Sequence, residues 1–162
     1  MGIGPSTKET SLHHFRDPLL DVVSSDEDVD LMGIVLVGTP EDNVGKLLVG
    51  TRAAVIAESM RADGVICSTD GWGNSDVDFC NMVEQVGKRG MPVTGLHFSG
   101  ECAKFVVLNE YLEGIIDICK GDGSESANVG ENAVNAQEAR RALVHLKVKM
   151  KQAEAAGKSW SK

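Results

Sequence analysis

The stretch Gly64–Asp78, GVICSTDGWGNSDVD, decides the fold. Val65, Ile66 and Thr69 make a β-branched run of strand length. It runs into the glycine-rich acidic turn Asp70-Gly71-Trp72-Gly73-Asn74, and Ser75 three residues ahead of Asp78 reads as a helix start. Strand, flexible loop and helix N-terminus in that order predict a parallel α/β unit. Ligands of open parallel sheets bind at the carboxyl ends of the strands. The backbone amides of the following helix point into the same space. Gly71 and Gly73 let the backbone approach a ligand or partner, and Trp72 offers a flat apolar face in a polar segment.

Upstream, Leu31–Thr39 (LMGIVLVGT) is a continuous apolar run that suits a strand covered on both faces. Glu41-Asp42-Asn43 then supply a helix start, and Val44–Arg61 places Leu47, Leu48, Ala54, Val55 and Met60 toward one buried face, weakened by Gly45 and Gly50. Downstream, Ser75–Arg89 carries Val77, Met82, Val83 and Val86 on one helical face and ends at Gly90, a C′ glycine. Pro92–Phe98 reads as a third strand. Periodicity leaves Phe105–Leu108 and Gly114–Cys119 open between two short strands and a helix followed by a strand. Asn135 and Glu138 form a capping box for a last helix over Ala136–Ala156, with Leu143, Leu146 and Met150 inward.

This alternation predicts a three-layer, Rossmann-like α/β domain with a mainly parallel sheet, in which the three apolar runs are adjacent strands. The loops after all three should gather at one edge, bringing together Thr39, Asp70–Asn74 and His97–Glu101. The domain occupies residues 31–156. Residues 1–30 form an arm, mostly extended with at most one short helix, and residues 157–162 a frayed tail.

At 162 residues and 17.2 kDa the chain can bury a core without disulfide or metal staples. A formal charge of −8 argues against nucleic acid, because no basic surface is available to displace phosphate counterions. Asp26-Glu27-Asp28 reads as a solvated acidic loop. Cys67, Cys80, Cys102 and Cys119 show no metal-ligand spacing. With no signal peptide and no membrane-length apolar run, they fit a reducing cytoplasm and no membrane association. No phosphate-binding glycine motif occurs.

Asp70, Trp72 and Asn74, with Gly71 and Gly73, are the leading substrate- or interface-binding candidates. Asp76 and Asp78 are read as acids stabilised by the helix dipole. His97, near the end of the third predicted strand, either faces the Trp72 crevice or is a buried, hydrogen-bonded histidine. His13, His14 and Arg16 either orient a carboxylate or lie in an exposed polar segment, and His145 is structural or solvated. Cys102 is the most accessible thiol, but adjacent Glu101 would raise its pKa; Cys67 and Cys119 read as small core residues. No residue is assigned a catalytic role, and no metal is expected.

Two stretches carry a family resemblance: Gly2–Leu19, GIGPSTKETSLHHFRDPL, and Ser68–Leu96, STDGWGNSDVDFCNMVEQVGKRGMPVTGL. They resemble the pyruvoyl-bearing subunit of D-proline reductase and, more distantly, the component B subunits of glycine, sarcosine and betaine reductases. The resemblance implies a proprotein that cleaves itself at a cysteine to leave a pyruvoyl group. The ketone would capture the substrate amine, and a partner subunit would supply the reducing thiol or selenol. The first cysteine here is Cys67, so the expectation is a chain matching only the carboxyl-terminal fragment, without a pyruvoyl group. Ser6 alone does not make a processing site. The resemblance further implies a homo-oligomer, or a hetero-oligomer with reductase subunits, in amino-acid-fermenting anaerobes. A stand-alone small-ligand-binding module built on the Trp72 loop is the alternative.

Overall fold

The computed structural model describes residues 18–69, 74–97, 105, 107–118 and 134–157. Within them, helix α1 (Pro18–Ser24) precedes a long irregular segment, helix α2 (Asn43–Ser59), strand β1 (Val65–Ser68), helix α3 (Asn74–Lys88) and strand β2 (Val93–His97). A 3-10 turn (Glu110–Leu112), strand β3 (Ile116–Asp117) and helix α4 (Ala136–Ala155) complete the order. The sheet runs β1-β2-β3, parallel throughout, with Val65 opposite Val93, Ser68 opposite Leu96 and His97 opposite Asp117.

The period of two along a strand explains the two cores. Val65, Cys67 and Val93 face α3, where they pack with Phe79, Cys80, Val83 and Val86. Ile66, Leu96 and Ile116 face the other way, onto Ala139 and Ala142 of α4 and Leu19 and Val22 of α1. The result is the expected three-layer α/β arrangement. Pro18 is the first residue of α1, where its fixed φ and missing N–H are harmless. The acidic loop is not simply solvated: Lys147 on α4 holds Asp26 at 2.6 Å and Asp28 at 3.0 Å. That hydrogen bond, first among the causes, keeps the Asp26 carboxyl below its ordinary pKa.

Local signals at the helix ends translate directly. Gly90 adopts φ +84° behind α3, the left-handed conformation that a C′ glycine supplies. Asn135 accepts from the Gln137 and Glu138 amides while the Glu138 side chain accepts from the Asn135 amide, completing the capping box. Asn135→Ala is therefore expected to cost about 1 kcal/mol, read as a lower urea midpoint with an unchanged slope. Gly114 (φ +79°) leaves its carbonyl 3.2 Å from His145 Nδ1, so His145 serves packing between α4 and the sheet.

Two expectations are corrected. Leu31–Thr39 is not a strand, and β1 has β2 as its neighbour among the described residues. Residues 31–36 are exposed. A Cβ at Gly33 would stand 3.0 Å from Met60 Cε, and one at Gly45 would stand 2.9 Å from Pro40 Cβ. The run thus starts beside the end of α2 and finishes beside its beginning. Seven residues at ~3.3 Å each match fifteen helical residues at ~1.5 Å each, about 23 Å in both cases, so the run lies nearly extended along α2. An apolar run signals a need for cover but not where the cover comes from.

The inward face of α2 also differs from expectation. Ala54 is buried, but Leu47, Leu48 and Val55 are exposed. The buried set is Lys46, Gly50, Ala53 and Ala54, small residues around one lysine. A Cβ on Gly50 would fall 2.2 Å from Asn81 Nδ2, so this glycine, which weakened the helix in the sequence, is where α3 approaches closely. Of the two undecided segments, Gly114–Cys119 contains β3, and the described residues of 105–108 form no strand.

Candidate functional site

Strand β2 alternates Val93, Gly95 and His97 toward α3. Gly95 matters here, since a Cβ would lie 2.8 Å from the Phe79 ring and 2.7 Å from the Cys67 carbonyl oxygen. Room for Phe79 brings aromatic cover to the end of the strand. The His97 imidazole lies 4.7 Å from the Phe79 ring and 4.8 Å from that of Phe105, measured between centroids. The two phenylalanine rings are nearly parallel, 6.1 Å apart.

His97 is fully buried, and its Nε2 lies 2.8 Å from Oδ1 of Asp76, which is 1% exposed. Asp76 stands in the first turn of α3, where unsatisfied amides and the helix dipole favour a negative charge. Two residues further, Asp78 Oδ2 accepts from Lys46 Nζ of α2 at 2.5 Å. Lys46 is 1% exposed. Two buried polar pairs, Asp76–His97 and the ion pair Lys46–Asp78, are therefore held by the first turns of α3, on different faces of the helix. Charges taken out of water persist only when paired in this way. Chemically, Asp76 orients the imidazole and can stabilise a proton on it, while Lys46 and Asp78 join α2 to α3.

The two described thiols are inert. Burial pushes the Cys67 pKa from 9.0 up to about 12. Cys80 is likewise pushed up to about 12, by burial first and then by the Asp76 charge. Both should resist iodoacetamide in the native protein at pH 8 and react on unfolding, as site-resolved mass mapping would detect. Because the folded pKa values exceed the unfolded ones, thiol ionisation should erode stability as pH rises from about 9 toward 12. Rapid native labelling of Cys67 would refute this picture.

Of the residues singled out in the sequence, His97 takes its place at the strand end and Asn74 opens α3. Asp70, Gly71, Trp72, Gly73, His13, His14 and Arg16 lie outside the described residues, as do Glu101, Cys102 and Cys119. The parallel register puts Ser68 and His97 at one edge of the sheet, and α3 starts there too. Asp76 and Asp78 are at the helix start as expected, but each also has a buried partner, the His97 imidazole or the Lys46 ammonium, that the dipole reading did not include. Lys46 was missed altogether. Its signal was a single lysine inside the apolar run Val44–Val49, where a snorkelling or paired charge is required. Among the described residues no group of three or more His, Cys, Asp or Glu could hold a metal, and no helix is long and apolar enough to cross a membrane.

The model of the glycine/sarcosine/betaine reductase component B subunits matches residues 2–105, a segment holding Lys46, Asp76, Asp78, Phe79, His97 and Phe105. The chain belongs to this family. It is similar to the D-proline reductase proprotein PrdA of Acetoanaerobium sticklandii, at 38% identity over 153 residues. The match takes in 94% of this chain and 24% of that protein, so the chain spans about a quarter of its relative's length. No solved structure matches. A cysteine-derived pyruvoyl group does not fit the described cysteines. Forming it requires a chain break before the cysteine, which at Cys67 would cut β1 and at Cys80 would cut α3.

Proposed function

We propose that this chain is a subunit of, or an accessory protein to, a D-proline-reductase-type complex of reductive amino-acid fermentation, acting in the cytoplasm of an anaerobe without a pyruvoyl group of its own. The observation that carries this reading is the match over 94% of the chain to a quarter of a D-proline reductase proprotein. The placement of Cys67 and Cys80 inside β1 and α3 supports the absence of a pyruvoyl group formed from either. In this reading the buried pairs Asp76–His97 and Lys46–Asp78 anchor the start of α3. Asp70–Asn74, with the arm residues His13, His14 and Arg16, meets the substrate or a neighbouring subunit. The chain is then a component of an oxidoreductase assembly, and its redox chemistry belongs to the complex.

The test is affinity purification of the tagged chain from cells that express it, followed by subunit identification and intact-mass measurement with and without phenylhydrazine. Reductase subunits in the eluate and a mass unchanged by phenylhydrazine are expected. A hydrazone adduct would overturn the pyruvoyl-free part. Purification as a lone chain would sink the complex and leave the small-ligand-binding module in its place.

A further inference from the structure

Ten of the fourteen exposed large apolar side chains among the described residues fall between Leu31 and Ile56. They form one surface, because the extended run 33–40 lies along α2 with its two ends beside Met60 and Gly45. On the helix, Val44, Leu48, Thr51 and Val55 recur at spacings of four, three and four, a stripe opposite the buried Lys46, Gly50, Ala53 and Ala54. On the run, Ile34 and Leu36 are 64% and 94% exposed. A helix apolar on both faces is a helix covered on both faces, and a contiguous patch of this kind marks an interaction site. Among the described residues, the helix that covers α2 is α3, on the side of Lys46, Gly50, Ala53 and Ala54.

We infer that the face built by Leu31–Gly38 and the outward stripe of α2 is the docking surface for the rest of a D-proline-reductase-type polypeptide, the part that corresponds to the three quarters of the relative outside the match. The occupant follows from length. This chain matches 24% of its relative, so in that protein the matching segment has a much larger body to pack against. A surface left uncovered by the fragment is where that body packs. The inference rests on the reading of function above and adds which surface is used. The opposite layer is not equivalent: on α4 the exposed apolar residues are Val144 and Val148, set among lysines and arginines.

The test co-expresses the full chain, tagged, with the portion of the Acetoanaerobium sticklandii proprotein outside its match. Copurification is quantified for the unaltered chain, for Ile34→Asp, Leu36→Asp and Val44→Asp, and for Val144→Asp as a control. All four side chains are more than half exposed, so urea midpoints should stay unchanged. Alanine versions at the same positions back up any variant that fails this check. The three surface variants should lower recovery of the partner about tenfold or more, as central apolar anchors do, while Val144→Asp should not. Equal recovery for all variants would overturn the inference and leave the proposed function standing. If the unaltered chain captures nothing, both fall. If instead it dimerises alone in sedimentation, and Leu36→Asp dissolves the dimer, the occupant is a second copy and the inference is wrong.

Discussion

Replacing Asp78 by alanine should destabilise the folded chain by about 3–5 kcal/mol, since Lys46 would be left buried and unpaired. The partners are almost fully buried, so solvent screening offers little relief. Lys46→Ala should cost a similar amount, since it strands Asp78 and opens a cavity between α2 and α3. The double variant Lys46→Met/Asp78→Leu fills the same space with apolar atoms and should recover most of the loss, because a buried ion pair adds little net stability over a well-packed apolar pair. Urea unfolding of the three variants decides the matter. Singles within about 0.5 kcal/mol of the unaltered chain would mean that the pair is solvated, as exposed pairs are. A double variant no better than the singles would mean that the site needs its charge pair for the helices to meet at all.

Why Lys46 escaped sequence reading and the sheet did not is a matter of range. Val65–Ser68 and Val93–His97 declare themselves through β-branched composition and bounding turns. Gly90, Asn135 and Glu138 act within four residues of their own positions. Such signals are local, and the structure follows them. The role of Lys46 depends on Asp78, thirty-two residues away on another helix. In isolation a lysine in an apolar helix and an aspartate in a first turn each have an ordinary surface explanation. His97 was legible by position, because parallel topology fixes which end of a strand faces a helix start, but its partner was not.

The failure at Leu31–Thr39 has a different cause. Hydrophobic run length reports the demand for burial, and a strand in the same domain is the usual supplier. Here the run lies along α2 instead, with Gly33 beside Met60 and Pro40 beside Gly45, and the demand stays open among the described residues. The same holds for Leu47, Leu48 and Val55, which were assigned to the inner face because α2 carries two apolar faces and only one was expected. Periodicity reports that a face is apolar, not which partner covers it.

Asp76→Ala should cost about 3 kcal/mol, the lower end of the range for a broken buried pair, because it leaves the buried His97 imidazole without its carboxylate partner. A further few tenths to 1 kcal/mol goes with the lost carboxylate at the start of α3. Stability alone would not separate an orienting partnership from simple packing, so a second readout is needed, and Cys80 provides it. The Asp76 charge is the second cause of the raised Cys80 pKa, after burial, whereas burial raises that of Cys67. Asp76→Asn, which keeps the shape and removes the charge, should lower the Cys80 pKa from about 12, still leaving it above the ordinary 9.0, and leave Cys67 where it is. Site-resolved alkylation rates across alkaline pH would measure both thiols in one sample, with Cys67 as the internal reference. Acceleration at both cysteines would report loosening of the fold. If neither changes, the Asp76 carboxylate is not charged next to Cys80, and its role as a charged partner of His97 fails with it. Acceleration at Cys80 alone places a negative charge beside a buried imidazole at the edge of the sheet, the arrangement needed to hold a proton ready there.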